Sequence, residues 1–115
     1  MSRDASPQEG FPVEERRRAK RYFFSAQAEV QEPRTTLRVS SRVSELSLTG
    51  CYLDMMNPFP PETLVQLRIT AGAETLQTNS RIIYSTPNIG SGAEFLDMNS
   101  NERALLERWL EQASQ

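Results

Sequence analysis

From Tyr22 onward the chain runs in short stretches of alternating apolar and polar residues, separated by glycine, proline and asparagine. This is the pattern of half-buried strands. Tyr22 to Val30 predicts the first strand, with aromatic and β-branched residues in approximate alternation and Pro33 to end it. Leu37 to Leu48 predicts a second, in which Leu37, Val39 and Val43 are apolar before the pattern passes to Leu46 and Leu48. That change of phase between Val43 and Leu46 predicts a bulge or bend of the kind barrels use to turn corners. Within the stretch, Leu46 and Leu48 are expected to face one way and Glu45 and Ser47 the other. Gly50 breaks the strand, and Cys51 to Met55 resumes a short third one. Asn57-Pro58-Phe59-Pro60-Pro61 cannot donate from three of its five backbone positions, so it reads as a loop. Leu64 to Ile69 alternates cleanly as a fourth strand, with Ala71-Gly72-Ala73 as its turn. Thr75 to Tyr84 predicts a fifth, ended by Pro87-Asn88, and Gly90 to Leu96 a sixth. The glycines of the sixth permit close backbone approach where a sheet curls.

After Leu96 the period changes. Asn99 is placed to cap a helix with Glu102 as its capping-box partner, and Leu105, Leu106, Trp109, Leu110 and Ala113 then fall on one stripe. Short strands at this spacing followed by one helix predict a small barrel that the helix plugs or flanks. Residues 1–15 are polar, contain Pro7, Gly10 and Pro12, show no period and read as a flexible arm. The folded domain is expected over residues 16–115.

Composition narrows the function classes. At 115 residues the chain suits a single domain able to bury its own core. A net charge of −2 gives no bulk attraction to nucleic acid or acidic lipid, so no DNA partner is expected and any anion site must be local. No apolar run approaches the roughly 18 residues of a membrane span, and MSRDASPQEG lacks the apolar centre of a secretory signal, so the chain reads as cytoplasmic, without membrane insertion. One cysteine, Cys51, excludes an internal disulfide and a cysteine-based zinc site. Zero histidines remove the common general base, and nothing remains to carry an enzymatic mechanism.

Two features carry chemistry. The run Arg16-Arg17-Arg18-Ala19-Lys20-Arg21 is the only dense positive cluster, and Ser44 to Gly50 holds Glu45, Ser47 and Gly50 in the spacing E-x-S-x-x-G. Arg17-x-x-x-Arg21 followed by this second motif, with Gly90-x-Gly92-x-x-Phe95 and a terminal helix, resembles the signature of the PilZ domain over about residues 15–112. The resemblance implies a six-stranded antiparallel β-barrel followed by a helix, all-β apart from that helix. It also implies a receptor for the bacterial messenger cyclic di-GMP, bound on the outside of the barrel with the arginine segment closing over it. No other cofactor is implied.

The chemistry of the residues suits that ligand. Cyclic di-GMP carries two phosphodiesters and two guanines, and a planar guanidinium offers paired donors to either a phosphate or the O6/N7 edge of guanine. By matching position, Arg17 and Arg21 are expected to make these contacts. Arg16, just before the pair, resembles versions of the family that take a stacked pair of ligands. Glu45 is expected to accept from guanine N1 and N2, Ser47 to bond base or phosphate, and Gly50 to let the backbone turn beneath the ligand. The family usually has Asp or Asn at the Glu45 position, so here the acceptor sits one methylene further out.

Plainer readings accompany each feature. An arginine run is commonly a solvated tail, Ser47 and Gly50 can simply end a strand, Gly90 and Gly92 can shape the barrel, and Cys51 reads as a small buried residue. Three functions follow. The first is an adaptor that orders its arginine segment on cyclic di-GMP and signals to an effector protein, with motility, exopolysaccharide production and biofilm as the processes the family suggests. The second, motivated by Glu45, is a degenerate PilZ-like interaction module that binds no nucleotide. The third, disfavoured by the net acidity, is a weak single-strand nucleic-acid binder.

Overall fold

The fourth strand shows most simply how the sequence becomes structure. In the computed structural model, which describes residues 19–115, this strand runs Leu64–Ala71. Its Val65, Leu67 and Ile69 are buried while Leu64, Gln66, Arg68 and Thr70 are exposed. Five further strands complete the sheet, although β6, with Gly90 to Ala93 all buried, does not alternate. In chain order the elements are β1 (Tyr22–Glu32), β2 (Leu37–Leu46), β3 (Gly50–Asp54), β4 (Leu64–Ala71), β5 (Glu74–Thr86), β6 (Gly90–Leu96) and α1 (Ser100–Ala113). The strands close into a barrel in the order β1-β2-β3-β6-β5-β4, every neighbouring pair antiparallel. Because β1 pairs with both β2 and β4, no strand is left as an open edge among the described residues.

The six strands and the helix are those the sequence predicts, with shifted ends. β2 stops at Leu46 instead of Leu48, and β1 and β5 run two residues further, to Glu32 and Thr86. The predicted bend in β2 is present as a register slip against β3 between Val43 and Glu45. A second slip, between Phe23 and Ala26, bends β1 against β2. Together these slips curl the sheet next to the Ser47 turn.

Val30, Val43, Leu46, Leu53, Ile69, Leu76 and Ile82 are fully buried inside the barrel. The strand directions put the Leu46–Gly50 turn, the β4–β5 turn and α1 at one end. At that end α1 acts as the plug, with Leu105, Leu106, Trp109 and Leu110 buried and Ala113 half-buried. The Trp109 ring stacks on Phe24 with centroids 5.3 Å apart. At the other end the loop after β3 folds inward, burying Met55 and Phe59 in the same core. Asn99 caps the helix as predicted, its Oδ1 accepting from the Glu102 backbone N–H at 2.8 Å. The reciprocal half of the capping box is replaced: Glu102 Oε1 accepts from the Gln77 backbone N–H at 2.9 Å, which ties the helix start to β5.

Candidate functional site

The slip in β2 decides which side chains meet outside the barrel. It pairs Glu45 with Tyr52 and Leu46 with Cys51, so that Leu46 fills the core and Glu45 stands on the outer face. The strand then leaves the sheet. Ser47 N–H donates to the Gly50 carbonyl at 2.9 Å, while the Ser47 hydroxyl accepts from Gly50 N–H at 3.1 Å and from Thr49 N–H at 3.2 Å. Ser47 is only 3% exposed. The expectation that Glu45 and Ser47 share a face therefore ends at the strand's last residue. Glu45 faces outward, while the buried Ser47 hydroxyl is engaged with the backbone of the turn that presents Gly50.

Arg21 enters this region from the start of β1. The preceding Ala19 is buried, and Lys20 places its ammonium 5.6 Å from the centre of the Tyr22 ring. Tyr22 and Phe23 then pair with Leu46 and Glu45, which brings the Arg21 guanidinium to 3.8 Å from Glu45 Oε1. Both side chains are a little over a third exposed, and 3.8 Å exceeds hydrogen-bond length. Coulomb attraction at a solvated surface holds such a pair only loosely. Arg21, Glu45, Ser47 and Gly50 line one shallow cleft, together with Leu46, Cys51, Tyr52 and Tyr84. Of the candidate residues, Arg16 and Arg17 lie outside the described residues.

Tyr52 and Tyr84 are cleft residues that sequence reasoning missed. Tyr52 on β3 and Tyr84 on β5 both pair with Gly92 on β6, and their rings lie 6.3 Å apart on the outer face. A Cβ at Gly92 would sit 2.4 Å from Tyr84 Cε2, and one at Gly90 would sit 2.2 Å from the Leu53 carbonyl and 2.9 Å from the Tyr52 ring. The glycines thus shape the barrel, as one sequence reading held, and their specific task is to let two aromatic rings lie on β6. The alternating glycines were the available signal, but the partner strands could not be read from them. Partial burial, with the Asp54 and Glu45 carboxylates nearby, raises the Tyr52 hydroxyl above its ordinary pKa and keeps it a donor. Burial pushes the Cys51 thiol up to about 12, so it contributes packing and no nucleophile.

Elsewhere, a wider groove crosses β1, β2 and β4, where Arg38, Arg42 and Arg68 are interspersed with Glu29 and Asp54. Among the described residues no group of His, Cys, Asp and Glu could hold a metal ion, and no helix is long and apolar enough to cross a membrane.

The chain is thus a closed six-stranded barrel with a cation and a carboxylate facing each other on its outer face, at a serine–glycine turn. The PilZ domain family matches residues 15–112, and the chain belongs to that family. Three solved structures share the fold. The PilZ domain of CeSA from a cellulose-synthesizing bacterium superposes with a TM-score of 0.66 at 22% identity, over 84% of this chain and 99% of that one. The PilZ domain of YcgR from Escherichia coli, solved with c-di-GMP, gives 0.70 at 15% identity, over 86% and 92%. The Bacillus subtilis inhibitor of motility MotI/DgrA gives 0.67 at 14% identity, over 84% of this chain and 51% of the larger protein. No curated protein sequence matches the chain significantly.

Proposed function

We propose that this chain is a cyclic di-GMP receptor of the adaptor type, with no enzymatic activity of its own. The observation that carries this reading is the pairing of Arg21 with Glu45 across the mouth of the Ser47–Gly50 turn, in a chain of the PilZ domain family. Arg21 offers the fork that a phosphodiester or the O6/N7 edge of guanine requires. Glu45 accepts from guanine N1 and N2 once the ligand has replaced the loose ion pair. Arg17 is assigned the same recognition as Arg21. Arg16 is assigned to a second, stacked ligand, where its charge and flat face suit another nucleotide. The ligand found in the YcgR domain supports the ligand class. The adaptor works in the cytoplasm: ligand orders the arginine segment, and an effector protein reads the altered surface. The signal can be no larger than the difference in ligand affinity between the two states of that segment.

Calorimetric titration with cyclic di-GMP at near-physiological salt tests the reading. Binding at micromolar concentration or tighter, lost in Arg17→Ala and in Arg21→Ala, supports it, and about two ligands per chain supports the role of Arg16. Absence of heat with the native chain at high ligand concentration overturns it.

One observation favours a second reading, a module that binds a protein partner and no nucleotide. Glu45 already stands opposite Arg21, so a ligand phosphate must displace a carboxylate that reaches one methylene further than aspartate. On this reading Glu45→Asp gains a nucleotide binding that the native chain lacks.

A further inference from the structure

Phe23 is 88% exposed, the most exposed large apolar side chain among the described residues. Single exposed apolar residues are ordinary on protein surfaces, and position is what sets this one apart. Met56, Leu64 and Ile89 are also exposed, but they lie toward the end of the barrel closed by the loop after β3. Phe23 lies two residues after Arg21 and pairs directly with Glu45.

The register extends that pair into a row across the outer face. Phe23 on β1 meets Glu45 on β2, Glu45 meets Tyr52 on β3, Tyr52 meets Gly92 on β6, and Gly92 meets Tyr84 on β5. The carboxylate is thereby flanked by an aromatic ring on each side. Neighbouring strands lie about 4.8 Å apart, so Phe23 and Tyr52 are separated by about 10 Å with Glu45 midway. A flat heterocycle lying on Phe23 would point one edge at the Glu45 carboxylate. The Phe23 ring gains almost nothing from folding at this exposure, whereas a stacked base would remove one of its faces from water.

We infer that Phe23 is a base-stacking platform, which holds one guanine of a cyclic dinucleotide with its N1/N2 edge turned to Glu45, opposite the tyrosine wall. This rests on the receptor reading above and adds to it a residue that neither sequence motif contains. Stacking requires a flat ring, so the ring and not mere hydrophobicity carries the effect.

The test is calorimetric titration of cyclic di-GMP into the native chain, Arg21→Ala, Phe23→Leu and Phe23→Tyr, each first checked for a native melting transition. The exposure of Phe23 makes that transition insensitive to these substitutions. Binding about tenfold weaker or worse in Phe23→Leu, with native-like affinity in Phe23→Tyr, supports the platform. Binding that Arg21→Ala abolishes and Phe23→Leu leaves unchanged overturns the platform alone. Equal losses in Phe23→Leu and Phe23→Tyr also overturn it, because a flat ring then fails to rescue. A native chain that gives no heat overturns the receptor reading and the platform with it.

Discussion

Two carboxylates, Glu74 and Glu45, each face an arginine, and they are used in opposite ways. Glu74, at the start of β5, is hydrogen-bonded through both oxygens: Oε2 accepts from Arg108 Nη1 at 2.9 Å and Oε1 from the Trp109 indole N–H at 3.2 Å. Both donors come from α1, so the carboxylate fastens the plug to the barrel rim beside the buried Trp109. Glu45 approaches Arg21 only to 3.8 Å on the open outer face. A carboxylate that accepts two hydrogen bonds must break them to take a new partner, whereas a loosely paired one can exchange its partner at small cost. At one end of the barrel, then, one carboxylate fastens α1 to the rim, whereas the other stands loosely paired and, on the proposed receptor reading, is left to the ligand.

The largest effect that sharpens this contrast belongs to the plug. Trp109→Ala removes a ring that is 2% exposed and stacked on Phe24, and is expected to destabilise the chain by about 4 kcal/mol in urea unfolding. A loss under about 1 kcal/mol would mean that the helix is dispensable to the core. Gly92→Ala comes next. Its new Cβ would lie 2.4 Å from the Tyr84 ring, so the ring must leave β6, at a cost of about 2 kcal/mol and with cleft geometry altered. An unchanged melting temperature and unchanged ligand affinity would show that the tyrosine wall does not depend on this glycine.

A third expectation concerns acid. Hydrogen bonds from Arg108 and then Trp109 hold the Glu74 carboxyl below its ordinary pKa. A carboxyl depressed in the folded state stabilises that state above the unfolded pKa of about 4.3, and the contribution disappears as pH falls through the folded value. The native chain is therefore expected to lose its melting-temperature advantage over Glu74→Gln between pH 7 and pH 3. A constant advantage across that range would deny any role to the charge. The smallest stability effect is expected at the site. Glu45→Gln, which removes the charge opposite Arg21, should change unfolding free energy by no more than about 0.5 kcal/mol, since the pair is loose and solvated. A larger loss would make Glu45 a structural residue and erase the contrast with Glu74.

Particular residues show how far the sequence could be read. Six strands, the helix and the β2 bend followed from local alternation, because a half-buried strand repeats every two residues and a helical stripe does not. Arg21, Glu45 and Gly50 were legible as a group through the spacing of the motifs, and the structure brings them to one cleft. Ser47 was assigned to the outer face by the same alternation and turned out to close its own turn. Periodicity has no authority once the chain leaves the sheet, where hydroxyl-to-backbone hydrogen bonds decide instead. Glu102 was read as the second half of a capping box, and a tertiary partner on β5 took its carboxylate.

The sequence by itself determined the elements and the two motifs, because those depend on residues close together in the chain. Only the tertiary structure decided what lies beside them. Phe23, Glu45, Tyr52, Gly92 and Tyr84 come from five strands and span more than 60 positions of the 115-residue chain, yet barrel closure sets them in one row. Strand order and register are set by how the apolar faces pack together, which no short stretch of sequence contains.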